Sequence, residues 1–168
     1  LFCACSEDWK NGKRLGEKPV LFPDYAQTTI PYNIAPLNFT VRADGCRVSV
    51  LLEAGVVKFK VEAPDGKVRI PEKKWKRLLQ EAKDDSVRVT VARKKGDRWE
   101  IWQPVSLNVA ADPVDPYLVY RLIEPGYALW NKMGIYQRGM ESFDETTVYE
   151  NKMTDYNCVN CHSFCGHD

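Results

Sequence analysis

The sequence predicts a mainly β protein: an immunoglobulin-like or fibronectin-like β-sandwich with one crossover helix, followed by an irregular C-terminal extension. Apolar and polar residues alternate in several short segments between residues 37 and 101, and Gly, Pro and Asp mark the turns that separate them. A single stretch has the periodicity of a helix instead. We therefore assign residues 1–31 to a leader remnant and tether, 32–111 to the sandwich, and 112–168 to the extension.

The segment from Trp9 to Pro31 is predicted to be the tether. It is polar, with scattered Lys, Gly and Pro residues, and neither strand nor helix periodicity is sustained along it.

Four short strands are expected next, separated by turns at residues 43–45 and 64–66. Cys46 begins one inward row, so we expect it to be a buried thiol rather than a ligand. The inward rows are Leu37, Phe39 and Val41; Cys46, Val48, Val50 and Leu52; Val57, Phe59 and Val61; and Val68 with Ile70.

The crossover helix is predicted to begin at Pro71, a residue that suits the first helical position. Its apolar residues recur at i, i+3, i+4 and i+7, and the Lys and Arg residues between them are expected on a solvated face. Strand alternation then resumes at Val87, and Trp99 and Ile101 are expected to continue the inward row after a turn at residues 94–97. The apolar helix positions are Trp75, Leu78, Leu79 and Ala82.

The extension is rich in aromatic residues, but Pro125, Gly126, Gly134 and Gly139 interrupt any long helix or strand. We expect an irregular segment that lies across the sandwich, with aromatic side chains that pack against it or form a wall around a ligand. Met133, Met140 and Met153 lie in this segment and are expected to be packing residues.

The charges are nearly balanced. The chain has 24 Lys and Arg residues and 23 Asp and Glu residues, for a net charge of +1. Nucleic acid and anionic membranes both require a clustered basic face, so we expect no nucleic-acid partner and membrane contact only through a lipid anchor. No apolar run reaches the length of a membrane-spanning helix.

Residues 158–162 read Cys-Val-Asn-Cys-His, which is a CxxCH motif. Two thiols three positions apart can each add to one haem vinyl group, and the following histidine can coordinate the iron. The motif predicts haem c as cofactor, with Cys158 and Cys161 as thioether anchors and His162 as the proximal ligand. No sixth ligand is evident from the sequence.

Two other interpretations of the same segment stay open. Three thiolates and an imidazole within ten residues suffice for a tetrahedral zinc site, formed by Cys158, Cys161, Cys165 and either His167 or His162. In an oxidising compartment, a disulfide from Cys161 to Cys158 or to Cys165 is the third possibility.

The N-terminus predicts export and lipidation. Residues 1–5 (Leu-Phe-Cys-Ala-Cys) resemble the end of a signal peptide, and Ala4 places Cys5 where a bacterial lipoprotein carries its lipidated cysteine. The Ser-Glu-Asp sequence at residues 6–8 resembles the acidic signal that directs some lipoproteins to the cell surface. We expect a periplasmic or cell-surface protein anchored to the outer membrane through Cys5, unless these residues have no role.

The C-terminal third resembles a known family. The segments that carry the resemblance are residues 117–127 (Tyr-Leu-Val-Tyr-Arg-Leu-Ile-Glu-Pro-Gly-Tyr), 141–146, 148–151 and 157–164. They are similar to secreted proteins from Bacteroides-type bacteria, loosely labelled cytochrome c biogenesis or TolB-like proteins, in which a TolB-like β-propeller follows the CxxCH segment. The resemblance implies that this chain is the N-terminal portion of a larger protein, and it supplies no defined activity.

These observations favour a non-enzymatic haem lipoprotein for electron transfer or redox sensing, with an unknown redox partner. The alternative is a surface module that binds a glycan or a protein and uses its Cys/His tail as a zinc site or disulfide clip. A row of exposed aromatic residues on one sandwich face would favour the alternative. Hydrolysis is not expected, because both histidines lie in the cysteine cluster and no nucleophile motif is present.

Overall fold

The computed structural model describes residues 9–123 and 133–158. The chain divides into two compact units, the first ending at Pro113 and the second beginning at Val114. The described residues form thirteen strands in three sheets and one α-helix. The predicted class, mainly β with a sandwich and one helix, is therefore confirmed.

Unit 1 begins with a short 3-10 helix, Trp9–Asn11, and contains one α-helix, α1 (Glu72–Glu81). Its strands in chain order are β1 (Lys13–Arg14), β2 (Leu21–Phe22), β3 (Thr29–Pro31), β4 (Phe39–Val41), β5 (Arg47–Ala54), β6 (Val57–Ala63), β7 (Lys67–Val68), β8 (Asp85–Lys95), β9 (Arg98–Ile101) and β10 (Val105–Ala110).

The large sheet is organised around β8, which has eleven residues. One edge of β8 pairs with β5, and β6 lies beyond β5. The other edge is shared: residues 85–89 pair with β10 and residues 92–95 pair with β9. The short strands β1 and β3 add in parallel to β9 and β10. A separate small sheet has the order β2–β4–β7.

The core lies on the inner face of the large sheet. Alternate residues of β5, β8 and β10 point there, with further members from β3 and β6, and the small sheet, α1 and adjoining loops complete the cluster. The Trp75 side chain of α1 is fully buried, and its indole N–H donates to the Ile34 carbonyl at 3.0 Å. The most deeply buried members from the large sheet are Val48, Val50, Leu52, Val87, Val89 and Val91.

The helix prediction is confirmed, except that Pro71 lies one position earlier, at the N-cap. Among the residues predicted to form the core, Phe39, Val50 and Val89 are buried. Phe59 is only half-buried, since its strand β6 lies at the edge of the sheet, and the Lys74 ammonium lies 5.5 Å from its ring centroid. Cys46 is also half-buried against the core.

The predicted tether is wrong for residues 9–31, which are part of the fold. Trp9, Leu21 and Ile30 are all buried, and β1, β2 and β3 each pair with a different strand. These strands have two or three residues each, too few to produce a periodic pattern. The buried residues Trp9, Leu21 and Ile30 are far apart in the sequence, so no apolar repeat distinguishes the segment from a linker.

Trp99 and Ile101 are buried, but on the opposite face from the one predicted. The two-residue turn between β8 and β9 pairs Trp99 with Lys94 and Ile101 with Ala92. Paired residues share a face, so both side chains lie with the even-numbered residues of β8. This outer face therefore has its own small apolar cluster, formed by Trp9, Ala92, Trp99 and Ile101, with Leu51 packed against it.

Unit 2 is more regular than expected. It contains an antiparallel meander of β11 (Tyr117–Leu122), β12 (Gly134–Gly139) and β13 (Glu145–Glu150), followed by a 3-10 helix, Asn151–Thr154. The glycines at 134 and 139 do not break a strand but stand at the two ends of β12. Pro125 and Gly126 lie outside the described residues.

Trp9→Ala is expected to lower the free energy of unfolding by about 3–5 kcal/mol, because it removes a buried indole and its hydrogen bond to Ser49. Chemical denaturation followed by circular dichroism measures the change. Val56→Ala, at a side chain that is 85% exposed, serves as control and should change stability by about 0.5 kcal/mol or less. A loss of less than about 1 kcal/mol for Trp9→Ala would restore the tether interpretation.

Candidate functional site

Of the predicted site residues, Cys158 alone lies in the part of the chain that the structure describes. The others fall outside it, namely Cys5, Cys161, His162, Cys165 and His167. Within residues 9–123 and 133–158, no group of three or more His, Cys, Asp or Glu side chains is placed to hold a metal ion. Haem attachment, zinc binding and a disulfide all remain predictions.

Cys158 follows directly after a closed turn. The 3-10 helix Asn151–Thr154 is followed by Asp155 and Tyr156. Both residues adopt left-handed backbone conformations, with φ of 50° and 61°. The backbone N–H of Tyr156 donates to the Asn151 carbonyl at 2.8 Å, and the N–H of Asn157 donates to the Thr154 carbonyl at 2.9 Å. The turn leaves Cys158 exposed at the start of the CxxCH segment.

Asn151 connects this turn to the sheet of unit 2. Its side chain is 1% exposed, and its backbone N–H donates to the carbonyl of Met133 at 3.3 Å. The Tyr149 and Thr154 hydroxyls are hydrogen-bonded to each other across the same turn. Met133 is buried, as expected of a packing residue, whereas Met153 is 55% exposed. The turn that precedes the CxxCH motif is therefore held in place by contacts with the sheet of unit 2.

Two tyrosine–carboxylate pairs lie on one face of the same sheet. The Tyr120 and Tyr136 rings pack at a centroid distance of 6.1 Å. The Tyr120 hydroxyl donates to Glu145, and the Tyr136 hydroxyl donates to the Glu150 Oε1 at 3.0 Å. These contacts connect all three strands of the meander and stabilise the strand that leads into the turn.

Glu150 also forms an ion pair with Lys152 in the turn itself. The Lys152 ammonium, and after it the Tyr136 hydroxyl, hold the pKa of the Glu150 carboxyl below its usual value. The same pair raises the pKa of Lys152. The charged form of Glu150 is thus favoured at the point where β13 enters the turn.

The described part of unit 1 has no row of exposed aromatic residues. Across residues 9–113, Phe22 is the one exposed aromatic side chain, at 77%, and the other aromatics are buried or half-buried. Unit 2 differs, because Tyr117, Phe143 and Tyr156 are all exposed. The exposed aromatic side chains of the described residues are therefore concentrated in unit 2, and the described part of the sandwich lacks the row that would favour glycan or protein binding.

A groove of about 490 Å³ lies on the outer face of the large sheet. Apolar and charged side chains both line it: Trp9, Leu51, Ile101 and Pro104, with Arg14, Glu53, Arg88 and Thr90. Sequence reasoning missed this groove, although the alternation of β5 and β8 already places Glu53 and Arg88 on the same outward row.

No protein-family model matches this chain, and no curated protein sequence matches it significantly. The resemblance to Bacteroides-type secreted proteins remains a prediction that rests on the segments quoted above. Within the described residues, no helix has the length and hydropathy needed to cross a membrane.

Lys152→Met is expected to raise the pKa of the Glu150 carboxyl toward its usual value, and Tyr136→Phe is expected to raise it less. Since the folded pKa is lowered, this pair stabilises unit 2 above the usual glutamate pKa, and the stabilisation is lost as the pH falls through the folded value. A carboxyl ¹³C NMR titration measures the shift. Lys152→Arg preserves the charge and should keep the pKa low; an unchanged pKa in Lys152→Met would contradict the assignment.

Proposed function

We propose that this chain is an extracytoplasmic c-type haem-binding lipoprotein, without enzymatic activity, that serves in electron transfer or redox sensing. The CxxCH motif at residues 158–162 is the observation that carries the proposal. An ordered turn that leaves Cys158 exposed at the start of the motif supports it.

Cys158, Cys161 and His162 are the residues that would hold the haem. Each cysteine would hold the haem through a thioether bond to one vinyl group, with the thiol hydrogen transferred to the neighbouring vinyl carbon. His162 would coordinate the iron through a neutral imidazole nitrogen. Bound haem supplies a one-electron Fe(III)/Fe(II) couple. The donor set fits this group, and the exposed Cys158 side chain is accessible to the attachment reaction.

The turn before the motif has a positioning role in this proposal. Buried Asn151 and the pair of Glu150 with Lys152 hold the chain at a defined point beside the sheet of unit 2. A covalently attached haem is then connected to a folded unit through only a few residues, which limits the volume that it samples.

The compartment follows from the two cysteine motifs together. Covalent haem attachment and lipidation of Cys5 both take place outside the cytoplasm, and the resemblance to Bacteroides-type secreted proteins supports the same placement. We infer a protein of the periplasm or cell surface, held at the outer membrane by lipid on Cys5.

The second candidate is a surface module that binds a glycan or a protein, with a zinc site or disulfide clip in its tail. The exposed aromatic residues of unit 2 favour this candidate, since aromatic rings stack on sugar and peptide surfaces. The same unit carries the CxxCH motif. The first candidate function requires this unit to hold haem, and the second requires it to bind a glycan or a protein.

The exported protein, produced together with a cytochrome c maturation system, is expected to give a pyridine haemochrome spectrum typical of thioether-linked haem. Cys158→Ser combined with Cys161→Ser should abolish covalent haem, because both bonds to the vinyl groups are lost. His162→Ala should retain covalent haem but lose normal iron ligation.

Asn157→Ala, adjacent to the motif and exposed, serves as the matched control and should mature normally. A working cytochrome in the same host verifies the maturation system. If the exported wild type then carries one zinc ion per chain and no haem, the haem proposal is wrong and the zinc alternative replaces it.

Metabolic labelling with a palmitate analogue tests the anchor separately. Wild type and Cys3→Ala are expected to be labelled, whereas Cys5→Ala should not be, because only Cys5 follows a small residue in the required position. Equal labelling of Cys5→Ala and wild type, or labelling of neither, would contradict lipidation at Cys5.

A further inference from the structure

The outer face of the large sheet has an uneven charge that the composition does not reveal. Strand register and side-chain contacts place six basic and two acidic side chains on it, an excess of four positive charges in a chain whose net charge is +1. The basic residues are Arg14, Arg47, Lys58, Lys60, Arg88 and Lys94, and the acidic residues are Glu53 and Glu62. We call this surface the basic face.

One of the two acidic side chains, Glu62, already has partners within the protein. Glu62 accepts a hydrogen bond from the Ser49 hydroxyl at 2.8 Å and pairs with Arg47 at 3.5 Å. Arg14 and Arg88, by contrast, form no side-chain hydrogen bond or ion pair within the described part of the chain, although Glu53 lies opposite Arg88 in the register. Both arginines line the groove of about 490 Å³ described above.

The basic face is also the face on which the N-terminal segment enters the fold. The Trp9 indole N–H donates to the Ser49 hydroxyl at 3.1 Å, and the Lys60 ammonium lies 4.9 Å from the centroid of the Trp9 ring. Trp9 follows Cys5 by four positions, a reach of roughly 14 Å for fully extended chain. Lipid on Cys5 would therefore hold this face at a distance comparable with the Debye length of about 10 Å.

We propose that the basic face binds the anionic phospholipid headgroups of the membrane that holds the protein. Guanidinium groups match phosphate oxygens in a bidentate geometry, and Arg14 and Arg88 present two of them beside a groove with an apolar lining. The charge pattern is independent of lipidation, whereas the orientation of this face toward the membrane rests on the lipid anchor proposed above. The protein then contacts the membrane through the basic face as well as through lipid on Cys5.

Co-sedimentation of the full chain with vesicles tests the proposal, with Cys5→Ser in every sample so that no lipid anchor contributes. We expect binding to vesicles that contain phosphatidylglycerol and none to vesicles of phosphatidylcholine alone. Lys58→Glu combined with Arg88→Glu should weaken binding by about tenfold or more, and high salt should abolish it.

The matched control is Lys73→Glu combined with Arg77→Glu, which reverses two exposed charges on α1 instead. That variant should bind as the wild type does, and thermal melts verify that both variants fold. Absence of binding to phosphatidylglycerol vesicles overturns the proposal, as does equal weakening by the two double variants. Binding to soluble heparin without vesicle binding also overturns it, in favour of an anionic polysaccharide.

Palmitate labelling distinguishes this inference from the proposed function. A labelled Cys5 without binding of the Cys5→Ser chain to anionic vesicles removes the basic-face proposal and leaves the lipoprotein proposal intact. Vesicle binding without labelling of the wild type supports the basic face and removes the lipid anchor.

Discussion

The pairing of β8 along both of its edges is the constraint on which unit 1 depends. Side chains alternate between the two faces of a strand, so the register of β8 decides what each face contains. Odd-numbered valines from Val87 to Val91 enter the core, while Arg88, Thr90, Ala92 and Lys94 point outward. A shift of one residue would exchange these sets and place arginine and lysine in the core, at a cost far above the stability of a typical domain.

Long periodic segments were predictable because burial imposes a pattern on every residue of the element. The inward rows of β5 and β8 and the helical stripe of α1 belong to this class. The segment at residues 9–31 was not predictable by pattern, since strands of two or three residues contain no full period. Trp99 and Ile101 were placed on the wrong face because apolar residues were assumed to face one core. The two-residue turn before them already specified the other face.

The candidate functional residues also divide into two kinds: those marked by a short sequence motif and those that only the fold brings together. The CxxCH motif can be recognised from the sequence because its chemistry depends on spacing within five residues. The basic face was missed because its residues come from four strands, β1, β5, β6 and β8, and a balanced total charge says nothing about how charges divide between two faces of a sheet. In unit 2, Gly134 and Gly139 suggested irregularity when they in fact mark the ends of a strand.

The packing of Trp9 has a mechanical consequence. A pull on the N-terminus reaches the indole first and then β1, which runs parallel to β9 and is continued by the bond from the Leu15 N–H to the Ile101 carbonyl at 2.7 Å. Tension is therefore carried by a buried ring and a short run of hydrogen bonds before it reaches the central strands. Release of that first contact would uncover the apolar side chains of Ala92 and Ile101 while the main core stayed closed.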